Sequence, residues 1–381
     1  MIRIGIAGIG QVAGDYMSIF ADGLVNGANI AALSSRNTAR AEDTAEKCGL
    51  AGAKIFGSYT DMLDSGLVDG VIITTPHTLH AEMAEEAISR GISVLVDKPL
   101  GVSTIEVERL VALADGRPEL ASGVMVNRRA NSLYRKVRDI VHSGSLGEMR
   151  RSSWQITNLY RTYAYYRSGS WRGSWKTEAG GVLMNQAIHQ FDLLLWIAGM
   201  PERISAYTKE GLHRPVNTEN DATLVLFYGS GATGTFTAST HECPGTNRLE
   251  LSFERGQIIV EDDSRLTVRT LSMPEEEFAK SETGYFTKVP WTETFEEIKA
   301  VPSKVEQAAT IQNFVDAIGG SKEIQCSFHG GRDTVRAVNA AYLSAWTGRT
   351  VGLDFDPLEY EEAYRKKVSE EEGKKAWTGK G

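Results

Sequence analysis

Through about its first 125 residues the chain alternates short apolar runs with stretches whose apolar positions recur every three to four residues. The runs Ile2–Ala7, Asn29–Leu33, Lys54–Phe56, Gly70–Thr74, Ser93–Val96 and Ala121–Val126 read as strands. Between them, Val12–Ala21, Thr38–Cys48, Thr60–Leu63, Leu79–Arg90 and Thr104–Ala114 read as helices. Apolar strands joined by helical crossovers predict a parallel sheet buried on both faces. Six strands in this rhythm suit a dinucleotide-binding fold.

Beyond Val126 the period changes. RKVRDIVHSGSLGEMRRSSWQI predicts a helix, a glycine turn and a strand. ATLVLFYGSGATGTFTAST and NRLELSFERGQIIVEDDSRLTVRTL alternate as antiparallel strands do, with turns at Gly229–Gly234 and around Glu254–Gly256. Two helices follow, KVEQAATIQNFVDAIGG and GRDTVRAVNAAYLSAWTG, the first closed by a glycine pair. After Pro357 the chain turns strongly charged and begins as a helix. The pattern divides the chain into a domain over 1–126, an α/β domain with an antiparallel sheet over 127–357, and a tail over 358–381.

Composition narrows the setting. Cys48, Cys243 and Cys326 lie far apart without a CxxC pair, which fits a reducing compartment better than a disulfide framework. The start has no signal-peptide pattern, and no run approaches the roughly 18 apolar residues of a membrane span. A cytoplasmic location away from membranes is the expectation. A net charge of −8 argues against a nucleic-acid partner. No HExxH or CxxC spacing suggests a metal, so none is expected.

Three segments carry candidate chemistry. Gly8-x-Gly10-x-x-Ala13 follows the first strand directly and opens a helix at Gln11 and Val12. Gly8 allows the tight turn, Gly10 lets backbone N–H groups approach a pyrophosphate, and Ala13 permits close helix–strand packing. At the end of the second strand, Ser34, Ser35 and Arg36 stand where an NAD site carries an acid. Without that carboxylate, and with an arginine to meet a 2′-phosphate, the NAD(P) choice leans to NADP. The second segment is EAGGVLMNQAIHQFDLLLW, in which Asn185, His189 and Asp192 are spaced four and three apart. On one helix they share a polar stripe among buried neighbours. An imidazole, whose ordinary pKa is about 6.5, suits proton exchange with an alcohol. A satisfied core histidine fits the same spacing.

The third segment, NLYRTYAYYRSGSWRGSWKTEAGG, is dense in Tyr, Trp, Arg and Lys. Such a loop commonly forms a solvated surface or an oligomer contact; next to the polar helix, Tyr160, Arg161, Tyr166, Trp175 and Lys176 are also candidates for holding a sugar, through aromatic faces on C–H groups and cations on hydroxyls. The cations also point to a carboxylate, sulfonate or phosphate on the substrate. Asn127 and Arg128, at the change of rhythm, are further candidates to line the site.

Taken in order, these segments resemble the glucose–fructose oxidoreductase / inositol dehydrogenase / MocA family. VIITTPHTLHAEMAEEAISRGISVLVDKPLG is similar to its T-P-x-x-x-H and E-K-P segments, and GGVLMNQAIHQFDLLLW to its G-G-G-x-L-x-D-x-x-x-H-x-x-D segment. The resemblance implies a Rossmann domain, then an α/β domain with an open, mainly antiparallel sheet. It implies hydride transfer between a nicotinamide cofactor and a ring hydroxyl or ketone of a sugar, sugar derivative or cyclitol, in a homodimer or homotetramer. It places cofactor contacts at Thr75, Pro76, His77 and Asp97, and in the Trp171–Arg172 pair. Lys98 would contact both substrate and cofactor, and His189 would be the general acid and base. Pro99 is expected to fix a sharp turn, as a cis peptide would.

Two positions depart from the family: Asp97 replaces glutamate and Asn185 replaces aspartate. An asparagine can hydrogen-bond but cannot titrate, so Asn185 is expected to orient a hydroxyl or His189, with Asp192 as a brace. The same fold can also oxidise a sugar transiently, eliminate its aglycone and re-reduce it, giving net glycoside hydrolysis. A non-catalytic cofactor-binding sensor is the other alternative, and Lys98 together with His189 argues against it.

Overall fold

The N-terminal parallel sheet forms as the apolar runs predict. A computed structural model describes residues 1–50 and 52–373, and the end of the charged tail, 374–381, lies outside the described residues. Strands β1 (Ile2–Ala7), β2 (Ala28–Ser34), β3 (Lys54–Phe56), β4 (Gly70–Ile73), β5 (Ser93–Asp97) and β6 (Ser122–Met125) lie in the order β3-β2-β1-β4-β5-β6. Every pair is parallel. The crossovers are α1 (Gln11–Ala21), α2 (Thr38–Lys47), α3 (Tyr59–Asp64), α4 (His80–Ser89) and α5 (Thr104–Asp115). Side chains of Asn37, Ser58 and Ser103 cap α2, α3 and α5.

Both faces are buried because adjacent strand residues point in opposite directions. Val71, Ile73, Val94 and Val96 pack with α4 and α5, whereas Ile72 and Leu95 pack on the other face with α1. That second face also takes the buried side of a later helix: Ala308, Ile311, Phe314 and Val315. The first compact unit accordingly comprises Met1–Ala130, Thr177–Ala179 and Val301–Arg336. The sequence rhythm assigned Val301–Arg336 to the later domain. Its apolar stripe instead completes the first core.

The second unit comprises Asn131–Lys176, Gly180–Ala300 and the chain from Ala337. Its helices are α6 (Ser132–His142), α7 (Tyr163–Arg167), α8 (Ile188–Ala198) and α9 (Glu275–Ser281). Later come α10 (Ser303–Ile318, in the first unit), α11 (Phe328–Thr347, in the first unit up to Arg336 and in the second from Ala337) and α12 (Pro357–Glu372). Its nine strands are β7 (Met149–Ile156), β8 (Arg203–Glu210), β9 (Glu219–Phe227), β10 (Thr233–Ser239), β11 (Asn247–Phe253), β12 (Gly256–Glu261), β13 (Arg265–Leu271), β14 (Trp291–Glu297) and β15 (Val351–Gly352). They run in the order β14-β13-β12-β11-β7-β10-β9-β8-β15. Only the β7–β10 pair is parallel. The sheet is therefore open and mainly antiparallel.

Alternation gives this sheet one buried face: Trp154, Leu224, Leu226, Phe236, Leu249 and Leu251 join a core with Phe191 and Leu194 of α8. The Phe191 and Phe236 rings are 4.9 Å apart between centroids. Tyr360 of α12 belongs to the same core, so the charged tail is structural over its first half. Among the described residues no helix is long and apolar enough to cross a membrane.

Candidate functional site

In the first unit the β1–α1 turn has the shape its glycines anticipate. Gly8 has a φ of +92°, and a Cβ there would stand 2.7 Å from the Thr75 Cγ2. Its N–H donates to the Ser34 carbonyl at 3.0 Å, and its carbonyl accepts from Thr74 Oγ1 at 2.6 Å. Gly10 is the N-cap of α1 with no side chain over the helix end, no acid in the first turn and open space around its Cα. Gln11 and Val12 are exposed at that end. Free helix N–H groups behind a hollow free of side chains fit a pyrophosphate.

At the end of β2, Ser34 is buried and Ser35 is half-buried, its Oγ accepting from Asn37 N at 3.2 Å. Arg36 is exposed and has no ion pair among the described residues. No carboxylate occupies this strand end, as the sequence indicates.

The ends of β4 and β5 are tied together by a residue of the T-P-x-x-x-H segment. His80, fully buried, sets Nδ1 2.7 Å from the Pro99 carbonyl and Nε2 2.8 Å from the Thr75 carbonyl. Burial pushes its pKa below the ordinary value, while the two carbonyls and Asp97 oppose that shift. Carbonyls only accept, so the ring satisfies both contacts only as an imidazolium, against the cost of burying its charge. Next to this clamp, Asp97 Oδ1 accepts from Tyr16 Oη at 3.1 Å and from Lys98 N at 3.0 Å. Lys98 is half-buried at the C-terminal end of β5, and the Lys98–Pro99 peptide is cis. Thr75 and Pro76 are half-buried, and buried His77 sets Nδ1 3.0 Å from the Glu178 carbonyl. Ligands of doubly wound sheets bind outside these strand ends, at the reversal of strand order between β1 and β4.

In the second unit the polar stripe is not carried by one α-helix. Val182–Gln186 forms a π-turn, and α8 begins only at Ile188. The Ala187 N–H donates to the Val182 carbonyl at 2.7 Å, five residues back. Asn185 therefore sits on the π-turn, His189 on the first turn of α8, and the expectation of a single regular stripe is corrected. Asn185 is 9% exposed and Asp192 1%, whereas His189 is half-buried. Asp192 thus lies in the interior, in keeping with a bracing role.

The π-turn is clamped by a residue that sequence reasoning missed. Glu219, at the start of β9 and fully buried, accepts from Gly181 N at 2.8 Å, Leu183 N at 2.9 Å and Tyr342 Oη at 2.8 Å. Burial pushes its carboxyl up to about 8, against the pull of its donors toward the charged form. The strand approaches so closely that a Cβ on Gly181 would stand 1.8 Å from the Glu219 carbonyl oxygen. No periodic signal marks this glutamate. The glycine pair is its only trace.

The aromatic loop divides into two sets. Trp175 is 2% exposed, edge-on to the Tyr342 and Trp346 rings, and its carbonyl accepts from Tyr364 of α12 at 2.5 Å. Lys176 Nζ pairs with Glu372 at 2.7 Å. Tyr166 is buried, its hydroxyl 2.8 Å from Thr240 Oγ1. Of these three expected sugar contacts, Trp175 and Tyr166 instead pack the loop onto the unit, and Lys176 is engaged in an ion pair at the surface. In the first unit, Asn127 is likewise buried, its amide donating to Glu306 of α10 at 3.0 Å, and Arg128 reaches the same carboxylate. The other set stays near solvent: Tyr160 is exposed, and Arg161, Trp171 and Arg172 are half-buried. The Arg172 guanidinium stacks over Trp171 at 4.4 Å and over Tyr165 at 4.2 Å. Tyr165, absent from the sequence candidates, accepts from both Arg172 and Gln186. Among the described residues no group of three or more His, Cys, Asp or Glu side chains is placed to hold a metal ion.

Residues 2–124 match the model of the oxidoreductase family with an NAD-binding Rossmann fold, and residues 134–259 that of the GFO/IDH/MocA C-terminal domain. An inositol 2-dehydrogenase of Leifsonia xyli is 29% identical over 202 residues, 52% of this chain and 54% of that protein. The chain thus spans about half the length of that relative. A trans-1,2-dihydrobenzene-1,2-diol dehydrogenase of Mus musculus is 26% identical over 240 residues, 62% of this chain and 68% of that protein. In fold, the chain resembles the WlbA dehydrogenase of Bordetella pertussis in complex with NADH and UDP-GlcNAcA, with TM-score 0.76, 23% identity and coverage of 93% and 99%. A levoglucosan dehydrogenase in complex with NADH and levoglucosan gives TM-score 0.77 at 17% identity, with coverage of 93% and 100%. Two family models, in order and together spanning more than half of the chain, agree with the glycine turn, the strand order and the open sheet: the chain belongs to the GFO/IDH/MocA family of oxidoreductases.

Proposed function

We propose that the protein is a nicotinamide-dependent dehydrogenase or reductase acting on a ring hydroxyl or ketone of a sugar, sugar derivative or cyclitol. The observation that carries this reading is Lys98, set at the end of β5 in the sheet that bears the dinucleotide turn and anchored through Asp97, Tyr16 and the His80 clamp. The nicotinamide, when bound, supplies the hydride acceptor or donor. Lys98 donates a hydrogen bond to the reacting oxygen and stabilises its developing negative charge. His189 takes the hydroxyl proton as the alcohol becomes a ketone and returns it in reduction. Asn185 directs the hydroxyl without titrating, and Trp171 would be the contact of the aromatic loop toward the nicotinamide side of the substrate.

The cofactor preference in this proposal is NADP, supported by Ser34, Ser35 and the exposed Arg36 in place of an acid. A homodimer or homotetramer is part of the same reading. Its support is the exposed aromatics Tyr207 on β8 and Trp291 and Phe295 on β14.

The test is a panel of sugars, cyclitols and sugar acids assayed with NAD and NADP, read by reduced-nicotinamide absorbance. At least one substrate should reduce the cofactor stoichiometrically, with a higher kcat/KM for NADP. Lys98→Met and His189→Ala should each lower kcat/KM by about 10²–10⁴. Release of an aglycone without net reduced cofactor would turn the reading to the hydrolytic cycle. Failure of both dinucleotides to raise the melting temperature would remove it altogether.

A further inference from the structure

Tyr165 presents an unusual valence count. Its hydroxyl oxygen accepts from Arg172 Nη1 at 2.5 Å and from Gln186 Nε2 at 3.1 Å, which occupies both lone pairs. The hydroxyl proton is left, and it has no acceptor among the described residues. Two guanidiniums lie over the same ring, Arg172 at 4.2 Å and Arg161 at 5.1 Å. Neither has a carboxylate partner among the described residues. The sequence is one-sided here: from Glu148 to Glu178 no Asp or Glu occurs, although the chain carries a net charge of −8.

Gln186 belongs to the same cluster. It is 7% exposed, and its Oε1 is buried without a partner among the described residues. The Arg172 Nε is buried without one as well. Buried polar atoms are normally matched, so a site holding two unmatched ones beside a directed hydroxyl is built for something the chain itself does not provide. Gln186 follows Asn185 on the π-turn, which ties the cluster to the segment that bears the proposed substrate contacts.

We infer that Tyr165, Arg161 and Arg172 recognise an anionic group, a carboxylate or a phosphate, carried by the substrate. Tyr165 donates its O–H to one oxygen of the anion, the guanidiniums offset its charge, and Gln186 Oε1 accepts from a neighbouring substrate hydroxyl. The inference rests on the proposed sugar or cyclitol activity and narrows its substrate to an acidic one. A charge-assisted hydrogen bond contributes about 1.5–3 kcal/mol, which corresponds to roughly ten- to hundred-fold in affinity.

The test is calorimetric binding of matched pairs to the protein saturated with dinucleotide: D-glucose against D-glucuronate and D-glucose 6-phosphate, and myo-inositol against an inositol monophosphate. At least one acid should bind ten-fold or more tightly than its neutral parent, the uronate and phosphate arms identifying the anion. In Tyr165→Phe the advantage should fall at least ten-fold while the Kd of the dinucleotide stays unchanged. If that variant melts at a lower temperature than the wild type, Gln186→Glu replaces it, and its carboxylate should abolish the advantage by repulsion. The inference is overturned if no acid outbinds its parent, if the advantage survives the substitution, or if dinucleotide binding weakens in parallel. Turnover of neutral sugars alone would sink it while leaving the dehydrogenase reading intact.

Discussion

Glu219 fixes the local geometry of the candidate site, because its one carboxyl holds the N–H groups of Gly181 and Leu183 at the start of the turn that leads to Asn185 and His189. Glu219→Gln places an amide N–H₂ against a backbone donor and should cost about 1–3 kcal/mol at neutral pH, measurable by denaturant unfolding. Its folded-state pKa of about 8 lies above the ordinary 4.5, so the folded state holds the proton more tightly than the unfolded chain. The stabilisation is therefore complete below about pH 4.5 and is lost as pH rises through about 8. Thermal melts from acid to mildly alkaline pH should show the wild type losing its advantage over Glu219→Gln as pH rises. A constant advantage would mean that the three donors, and not burial, govern the group. At this scale the sequence points to Gly8, Gly10, Lys98 and His189, whose roles are local or carried by a motif. It gives no sign of Glu219, whose donors are 36 or more residues away, or of the meeting of Tyr165 with Gln186 across 21 residues.

Elements whose burial follows a simple period are legible in the amino-acid pattern alone. All six strands of the first sheet and its five helices occur within a residue or two of their expected bounds, because the central apolar runs are buried on both faces. Strands β8 and β14 carry no comparable signal. RISAYTKE keeps one fully buried residue, Ile204, and every residue of WTETFEE is exposed. The π-turn escapes pattern for a different reason: its extra residue is imposed by the close pass of β9 and the Glu219 clamp, not by any periodicity in VLMNQ. Two glycines test this. Gly181→Ala would press a Cβ into the Glu219 carbonyl, a backbone atom that cannot swing away. It should destabilise by several kcal/mol, about 3 or more, or prevent soluble expression. Gly14→Ala, inside α1 with nothing within 4 Å of the added atom, should instead stabilise by about 0.5–1 kcal/mol in the same unfolding assay. Loss of stability at Gly14 would show that the space beside α1 is filled.

For the molecule as a whole, the unit that carries the Rossmann-type sheet is not contiguous in the chain. α10 buries Ile311, Phe314 and Val315 against the first sheet, worth about 1.5–3 kcal/mol each as an upper estimate. Their sum rivals the roughly 5–15 kcal/mol that stabilises a whole domain. A fragment ending at Ala130 should therefore aggregate or melt without cooperativity in near-ultraviolet circular dichroism. The same fragment joined by a flexible linker to residues 301–336 should melt cooperatively. Cooperative melting of the shorter fragment would refute that dependence. By itself the sequence determined the alternating strands and helices, the glycine turn after β1, the missing acid after β2, and the ordered motifs bearing Lys98 and His189. Those features depend on neighbours in the chain, through hydrophobic period, backbone freedom and fixed spacing. Only the tertiary structure decided that α10 belongs to the first core, that Trp175, Tyr166 and Asn127 are used in packing, that Lys176 pairs with Glu372, and that Asn185 sits on a π-turn held by Glu219. Each of these depends on which distant segment closes over a given face, and a one-dimensional pattern carries no record of that.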